Sequence, residues 1–540
     1  MDVLSAATTW LNQDPDPLTR SELQGLIASD DLEALNSRFL TRLEFGTAGL
    51  RGELGAGPNR MNQVVVAQTA LGLGRFLLAN RSEYLDQSGN LSVVIGYDGR
   101  INSDVFAKLS AEIFQALGIS AKLFSKMVPT PVAAFTGKLL AASATVVVTA
   151  SHNPPRDNGY KVYLGGKNGH SQLVPPQDAE IASFIKAIAT DTTFQEIARA
   201  SNYQVLEDAE INAYTARALE LVDQGEQEKT RRSTLKISYT AMHGVGYRYL
   251  REIFDQAGFQ LNSVTEQQEP DGRFPTVAFP NPEEPGAMDL AFALATKFQA
   301  DVIIANDPDA DRLAIGYGTP PRMLTGDEVG LILAEYAAQN GAKVIANSIV
   351  SQDLGPIASH HGISYSQTLT GFKWIAKVPG LDFGYEEALG YCVDPSNTPD
   401  KDGITAALLI AEIASNLKTS ELDLGDELGR LASLYGESAT GQVSIRVTDL
   451  GVISSVMSKL RHSPPTEILG QPVTLEDYLG KVGNQKTDAL VFSSSSLKVI
   501  FRPSGTEPKL KCYLQFRGAE AKTGIVNLKS WASELITELS

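Results

Sequence analysis

Short apolar runs alternate with longer stretches of helical periodicity through most of this chain. The runs at 93–97, 144–148, 237–239, 302–305 and 344–347 are rich in Val, Ile and Ala, the pattern of strands buried on both faces. Between them, residues 104–117 and 327–339 space their apolar side chains three and four apart, which predicts amphipathic helices. Alternation of this kind predicts α/β layers with largely parallel strand pairing. The end of the chain breaks the rhythm: a Ser-rich tract precedes "LKVIFRPSGTEPKLKCYLQF" and an amphipathic helix follows, predicting a small α+β domain. Joints are expected near 195–232, at the Gly/Pro-rich "GYGTPPR" of 316–322, and near 415–440.

Several predicted strands run straight into polar loops containing Gly or Pro: "GYDGR", "TASHNPP", "TAMHGVG" and "NDPDADR". Open α/β sheets bind ligands beyond the carboxyl ends of their strands, so these loops are read together as one candidate site.

"DVIIANDPDADR" sets Asp307, Asp309 and Asp311 at alternate positions just after a strand. Carboxylates so close repel one another, and a hard divalent cation such as magnesium relieves that repulsion. An EF-hand would need Gly and a carboxylate where Arg312 and Gly318 stand, so that reading fails. An aspartyl-phosphate phosphatase expects a small β-branched or hydroxyl residue where Asp311 stands. A solvated acidic turn is the plainer alternative.

"FRPSGTEPKLK" gathers Arg502, Ser504, Gly505, Thr506 and Lys509, the materials of a phosphate cradle or of a positively flanked hairpin. "EFGTAGLRG" brings Arg51 among glycines that allow close backbone approach to an anion. "GYEEALGY" (384–391) offers Glu386 and Glu387 as acceptors for sugar hydroxyls or as a solvated helix start. Ser151 ends a buried strand with no Gly-x-Ser-x-Gly elbow around it. A phosphoryl carrier beside the acidic loop suits it better than acyl transfer, with His152 and Lys161 as candidates for proton transfer and charge stabilisation.

Composition narrows the setting. With 540 residues, three or four domains are expected; 43% hydrophobic and 20% charged residues describe a globular chain. A net charge of -17 argues against nucleic acid or an anionic membrane as partner. Cys392 and Cys512 are expected as buried free thiols, the N-terminus lacks a secretory pattern, and no run has a membrane helix's length, so a cytoplasmic protein is expected.

In order and content, "TASHNPP", "DPDADR", "GYEEALGY" and "RPSGTEPK" resemble the α-D-phosphohexomutase superfamily, over about residues 42–515. That resemblance implies four domains around a central cleft: three related mixed α/β domains, 1–205, 206–318 and 319–430, and a smaller α+β domain, 431–540. It implies Ser151 as phosphoserine; Asp307, Asp309 and Asp311, with Ser151, as ligands of one Mg2+ per chain; and Arg51 and Arg312 near the transferring phosphoryl group. His152 and Lys161 match positions beside the phosphoserine. Glu386 and Glu387 match the sugar loop, and Arg502, Ser504, Gly505 and Thr506 match the loop for the non-reacting phosphate. Lys373 in "TGFKW" and His243 in "TAMHGVG" match further family stretches.

The implied activity is interconversion of glucose 1-phosphate and glucose 6-phosphate, with glucose 1,6-bisphosphate as intermediate and activator, by a monomer or homodimer. Tyr385 separates Gly384 from the glutamate pair, and this form with "FGTAGLRG" is similar to the branch holding α-phosphoglucomutases and phosphopentomutases. A phosphopentomutase, a phosphomannomutase, a sugar-bisphosphate synthase and a catalytically silent phosphosugar sensor are the alternatives.

Overall fold

The computed structural model describes residues 2–47, 49–447, 450–481, 486–503 and 509–539. The chain forms two compact units: residues 1–324 with 381–383 and 389–421, and residues 325–380 with 384–388 and 422–540.

The first unit is built on two sheets. One runs in the order Leu50–Glu53, Asp157–Leu164, Ala144–Val148, Ser92–Tyr97, Ser120–Phe124, Gln204–Leu206. Its four strands from Ala144–Val148 onward pair in parallel, and Asp157–Leu164 and Leu50–Glu53 add antiparallel strands beside them. All five residues of Ala144–Val148 are buried, which explains why that strand reads as a continuous apolar run rather than an alternation. The other sheet places Val302–Asn306 beside Lys236–Thr240 in parallel and Leu313–Tyr317 in antiparallel. The pairing is therefore mixed where the sequence pattern predicts it largely parallel. The antiparallel strands differ in legibility: "LRGE" is too polar to read as a strand, and the apolar "LAIGY" of Leu313–Tyr317 does not by itself reveal its direction.

In the second unit, Ser364–Thr368 and Val344–Ser348 pair in parallel. A separate antiparallel sheet runs Ser438–Arg446, Lys509–Arg517, Leu497–Pro503, Leu490–Ser493, Thr474–Asp477, covered by helices Leu450–His462 and Ala521–Leu539. The predicted closing α+β domain is this sheet and its helices. Thr325 and Glu328 form a capping box that starts helix Gly326–Gln339. Cys392 and Cys512 are buried and free. Among the described residues, no helix is long and apolar enough to cross a membrane.

Helix Gln63–Ala79 is buried along most of its length and meets helix Gln177–Asp191 at Gly72. A Cβ built on Gly72 would stand 2.4 Å from Ile185 Cγ1 and 3.1 Å from its backbone nitrogen. On an exposed helix, Gly→Ala would gain about 1 kcal/mol. Here overpacking of about 1–3 kcal/mol opposes that gain, and backbone atoms cannot swing aside as a side-chain tip can. Gly72→Ala is therefore expected to lower the calorimetric unfolding midpoint, by up to about 3 °C; a raised midpoint would show that the two helices can part freely.

Candidate active site

The first unit brings its strand-end loops together. Ser151 follows strand Ala144–Val148 in a left-handed turn, φ 52°, and is 1% exposed. Its amide donates to Thr149 Oγ1 at 2.8 Å and its hydroxyl donates to Asp307 Oδ2 at 2.7 Å. His152 Nδ1 lies 3.2 Å from the same hydroxyl oxygen. Met242, His243 and Ala310, in two neighbouring strand-end loops, also take positive φ. Backbone strain of this kind persists where surrounding structure holds it, and it gathers at functional sites.

Asp307, Asp309 and Asp311 are all buried, with carboxylate oxygens within 4.8 Å of one another. Lys161 Nζ donates to Asp309 Oδ2 and to Asp311 Oδ2, each at 2.6 Å. Two further groups sit on the cluster. Lys401 Nζ is 3.5 Å from Asp311 Oδ2, and Thr130 donates its hydroxyl to Asp309 Oδ2 at 2.5 Å and its amide to the Asp309 carbonyl at 2.9 Å. Asp309 Oδ1 and Asp311 Oδ1 remain buried with no hydrogen-bond partner. An unsatisfied buried acceptor costs about 1–3 kcal/mol, and an all-oxygen set with two such acceptors fits a hard divalent cation.

The titration of these groups reflects their crowding. Burial, then the neighbouring Asp311, pushes Asp309 above the ordinary carboxylate range. Burial opposes ionisation of Asp311 too, but Lys161, Lys401 and Arg312 outweigh it and hold that carboxyl low. Burial pulls the Lys161 amine down, yet Asp309 and Asp311 more than reverse this, so it stays an ammonium. Burial and then the charges of Arg312 and Arg51 push the His152 imidazole well below its ordinary value, leaving it neutral at pH 7.

Arg312 donates its backbone amide to Asp307 Oδ1 at 3.0 Å, and its Nε is 3.8 Å from Asp311 Oδ1. Arg51 sits opposite Gly159 in the antiparallel pair beside the serine loop, with its Nε buried and unpartnered. His243 Nε2 is 2.8 Å from Thr276 Oγ1. Its loop buttresses the acidic one, with Val245 N donating to the Pro308 carbonyl at 2.9 Å. A Cβ on Gly244 would stand 2.4 Å from Pro308 Cα, so only glycine fits there.

The second unit gathers a different set. Glu386 is buried, and the Glu387 carboxylate accepts from Ser348 Oγ and Ser351 Oγ, each at 3.2 Å. Burial, then Glu386 and Asp327, push Glu387 up to about 7. Lys511 lies near enough to oppose that rise, and the Tyr513 hydroxyl feels both Glu387 and Arg502. Lys373 is on helix Phe372–Ile375, its ammonium 5.6 Å from the Trp374 ring centroid. Arg502 lies on strand Leu497–Pro503; Ser504, Gly505 and Thr506 lie outside the described residues.

Lys401, Thr130, Ser348 and Ser351 were not singled out by the sequence. "PDKDG" around Lys401 carries a charge pattern that could have flagged it, whereas nothing in "VPTP" or "NSIVSQ" marks the other three.

Residues 42–192, 212–319 and 325–431 match, in turn, "Phosphoglucomutase/phosphomannomutase, alpha/beta/alpha domain I", domain II and domain III. A Haemophilus influenzae protein named "Probable phosphomannomutase" is 44% identical over 472 residues, covering 86% of this chain and 94% of its own. Mouse phosphopentomutase is 33% identical over 98% of this chain and 92% of its own. Mouse glucose 1,6-bisphosphate synthase is 30% identical over 99% and 93%. With three domain matches in sequence and relatives this similar along nearly their whole length, the chain belongs to the phosphoglucomutase/phosphomannomutase family of the α-D-phosphohexomutase superfamily, and is a phosphosugar mutase.

Proposed function

We propose that the chain interconverts glucose 1-phosphate and glucose 6-phosphate by carrying a phosphoryl group on Ser151. The observation that carries this reading is the Ser151 hydroxyl, buried and 2.7 Å from Asp307 Oδ2 in a three-carboxylate cluster. In the first transfer the bond between phosphorus and the serine oxygen breaks, and that oxygen keeps the electron pair. A bond forms to the oxygen of the free sugar hydroxyl, whose proton passes to a side chain beside Ser151; of the two candidates the neutral His152 imidazole can take it directly, whereas Lys161, an ammonium, must first give up its own proton. The product is glucose 1,6-bisphosphate, and its other phosphoryl group then returns to Ser151.

Arg51, Arg312 and Lys161 present positive charge for the oxygens of the moving group. Asp307, Asp309 and Asp311, with an oxygen on Ser151, would hold one magnesium ion, whose chemistry when bound is to offset phosphoryl charge. To the second unit we assign substrate recognition: Glu386, Glu387 and Lys373 for the sugar, and Arg502, Ser504, Gly505 and Thr506 for the non-reacting phosphate. The domain division 1–205, 206–318, 319–430 and 431–540 is proposed with it. The similarity to a glucose 1,6-bisphosphate synthase supports the bisphosphate as intermediate and activator. A pentose phosphate is the second reading, favoured by the phosphopentomutase that matches 98% of the chain.

A phosphorus NMR time course with glucose 1-phosphate, magnesium and a trace of the bisphosphate tests the reaction. Glucose 6-phosphate is expected to grow. A static spectrum, alongside turnover of ribose 1-phosphate, would move the assignment to the pentose, and free inorganic phosphate would overturn the mutase mechanism. Ser151→Ala is expected to abolish turnover while folding as the parent does, and near-normal activity in that variant would remove Ser151 as carrier.

Glu387 yields a pH test. Its folded value of about 7 lies above its ordinary 4.5, so the stability linked to its proton is fully present below about pH 4.5 and lost as pH rises through 7. Glu387→Gln is therefore expected to stabilise the protein at pH 8, by on the order of 2 kcal/mol, and to change it little at pH 4. The same variant should raise KM for the sugar phosphate, because a carboxylate kept at a cost to stability is kept to bind. Unchanged KM would remove Glu387 from substrate recognition.

A further inference from the structure

One buried cation in the first unit has no place in the mechanism above. Arg100, in the "GYDGR" loop after strand Ser92–Tyr97, is 3% exposed. Its Nη2 donates to the carbonyls of Ser151 and Asn153, each at 2.6 Å, and its Nη1 to those of Pro154 and Asp157, each at 2.9 Å. Asp98 Oδ2 is 3.6 Å from Nε, and the Phe274 ring centroid is 5.0 Å from the guanidinium carbon. Asp98 is itself fixed, since its Oδ1 accepts from the Arg100 amide at 2.9 Å and from Ser103 Oγ at 2.7 Å.

Burying a cation is expensive unless its donors are satisfied. These donors are aimed at the backbone of a single loop, the one that begins with Ser151. The loop's own bonds are local, Asn153 N to the Ala150 carbonyl, Asp157 N to the Pro154 carbonyl and Asn153 Nδ2 to Asp157 Oδ2, each at 3.0 Å, and Pro154 and Pro155 have no amide to donate, whereas Arg100 ties four of its carbonyls to one group. A planar guanidinium with donors in a fixed fork can bind several carbonyls at once, which an ammonium cannot do with the same geometry.

We propose that Arg100 is the positioning residue of the phosphoryl carrier: it sets the conformation of loop 151–157, and through it the rate at which Ser151 accepts and passes the phosphoryl group, without touching substrate. This rests on Ser151 being the carrier.

The test compares Arg100→Lys, which keeps the charge and loses the fork, with the double variant Asp98→Asn, Arg100→Met, which keeps the buried site neutral. Amide hydrogen exchange, steady-state kinetics with glucose 1-phosphate, and phosphate uptake on Ser151 from glucose 1,6-bisphosphate are measured on each and on the parent. Exchange is expected to quicken within residues 151–158 and to stay unchanged elsewhere. A displacement of about 1 Å at the reacting atom lowers kcat about 100-fold, so a loss of that order is expected, with phosphate uptake slowed alike. KM should stay within about threefold, since substrate binding is not touched. Parent-like kcat and uptake in either variant, while the parent's Ser151 takes up phosphate, would overturn the inference alone. A parent whose Ser151 takes up no phosphate would overturn the carrier assignment and this inference with it.

Discussion

The first unit is organised by a problem of charge: three aspartates whose carboxylates approach within 4.8 Å in the protein interior. Each ionised pair there repels strongly, because little water is left to screen it. The chain answers with Lys161 bridging two of the carboxylates, Lys401 beside one of them, and amide and hydroxyl donors from Arg312, Ser151 and Thr130. Every one of those groups is thereby fixed in place. Ser151 is the one to which we assign the chemistry, since its hydroxyl is held on the cluster at 2.7 Å from Asp307 Oδ2.

The second unit uses the same currency in a different way. Burial, then Glu386 and Asp327, push Glu387 up toward 7 against the pull of Lys511, and two serine hydroxyls hold it. Asp311, by contrast, is held low by three cations. One carboxylate is set up to stay ionised and the other to change its proton near neutrality. Environment, not residue type, divides the two roles.

Much of this was legible in the sequence. The apolar runs locate the central strands to within a residue or two: 93–97 within Ser92–Tyr97, 237–239 within Lys236–Thr240, 302–305 within Val302–Asn306. The acidic loop and Ser151 stand out by pattern rather than by residue type, since Ser and Asp are ordinary turn residues: three carboxylates at alternate positions and a serine closing an apolar run each follow directly on a strand. What stayed hidden was of two kinds. Strands such as Ser364–Thr368 are too polar to announce themselves by periodicity. Contacts such as Thr130 to Asp309, or Arg100 to the serine loop, join residues far apart in sequence through ordinary side chains, and only the fold brings them together. The sugar is likewise unreadable, because its selection turns on the placement of single hydroxyls rather than on motif chemistry.

The central claim is that the phosphoryl group passes through the protein, and a single-turnover transfer tests it most directly. Protein labelled with radioactive phosphate on Ser151 is mixed with unlabelled glucose 1-phosphate and quenched over time. The account predicts that label leaves the protein and first arrives on the C6 oxygen of the sugar. Label that stays on the protein, or that departs only as inorganic phosphate, would contradict it.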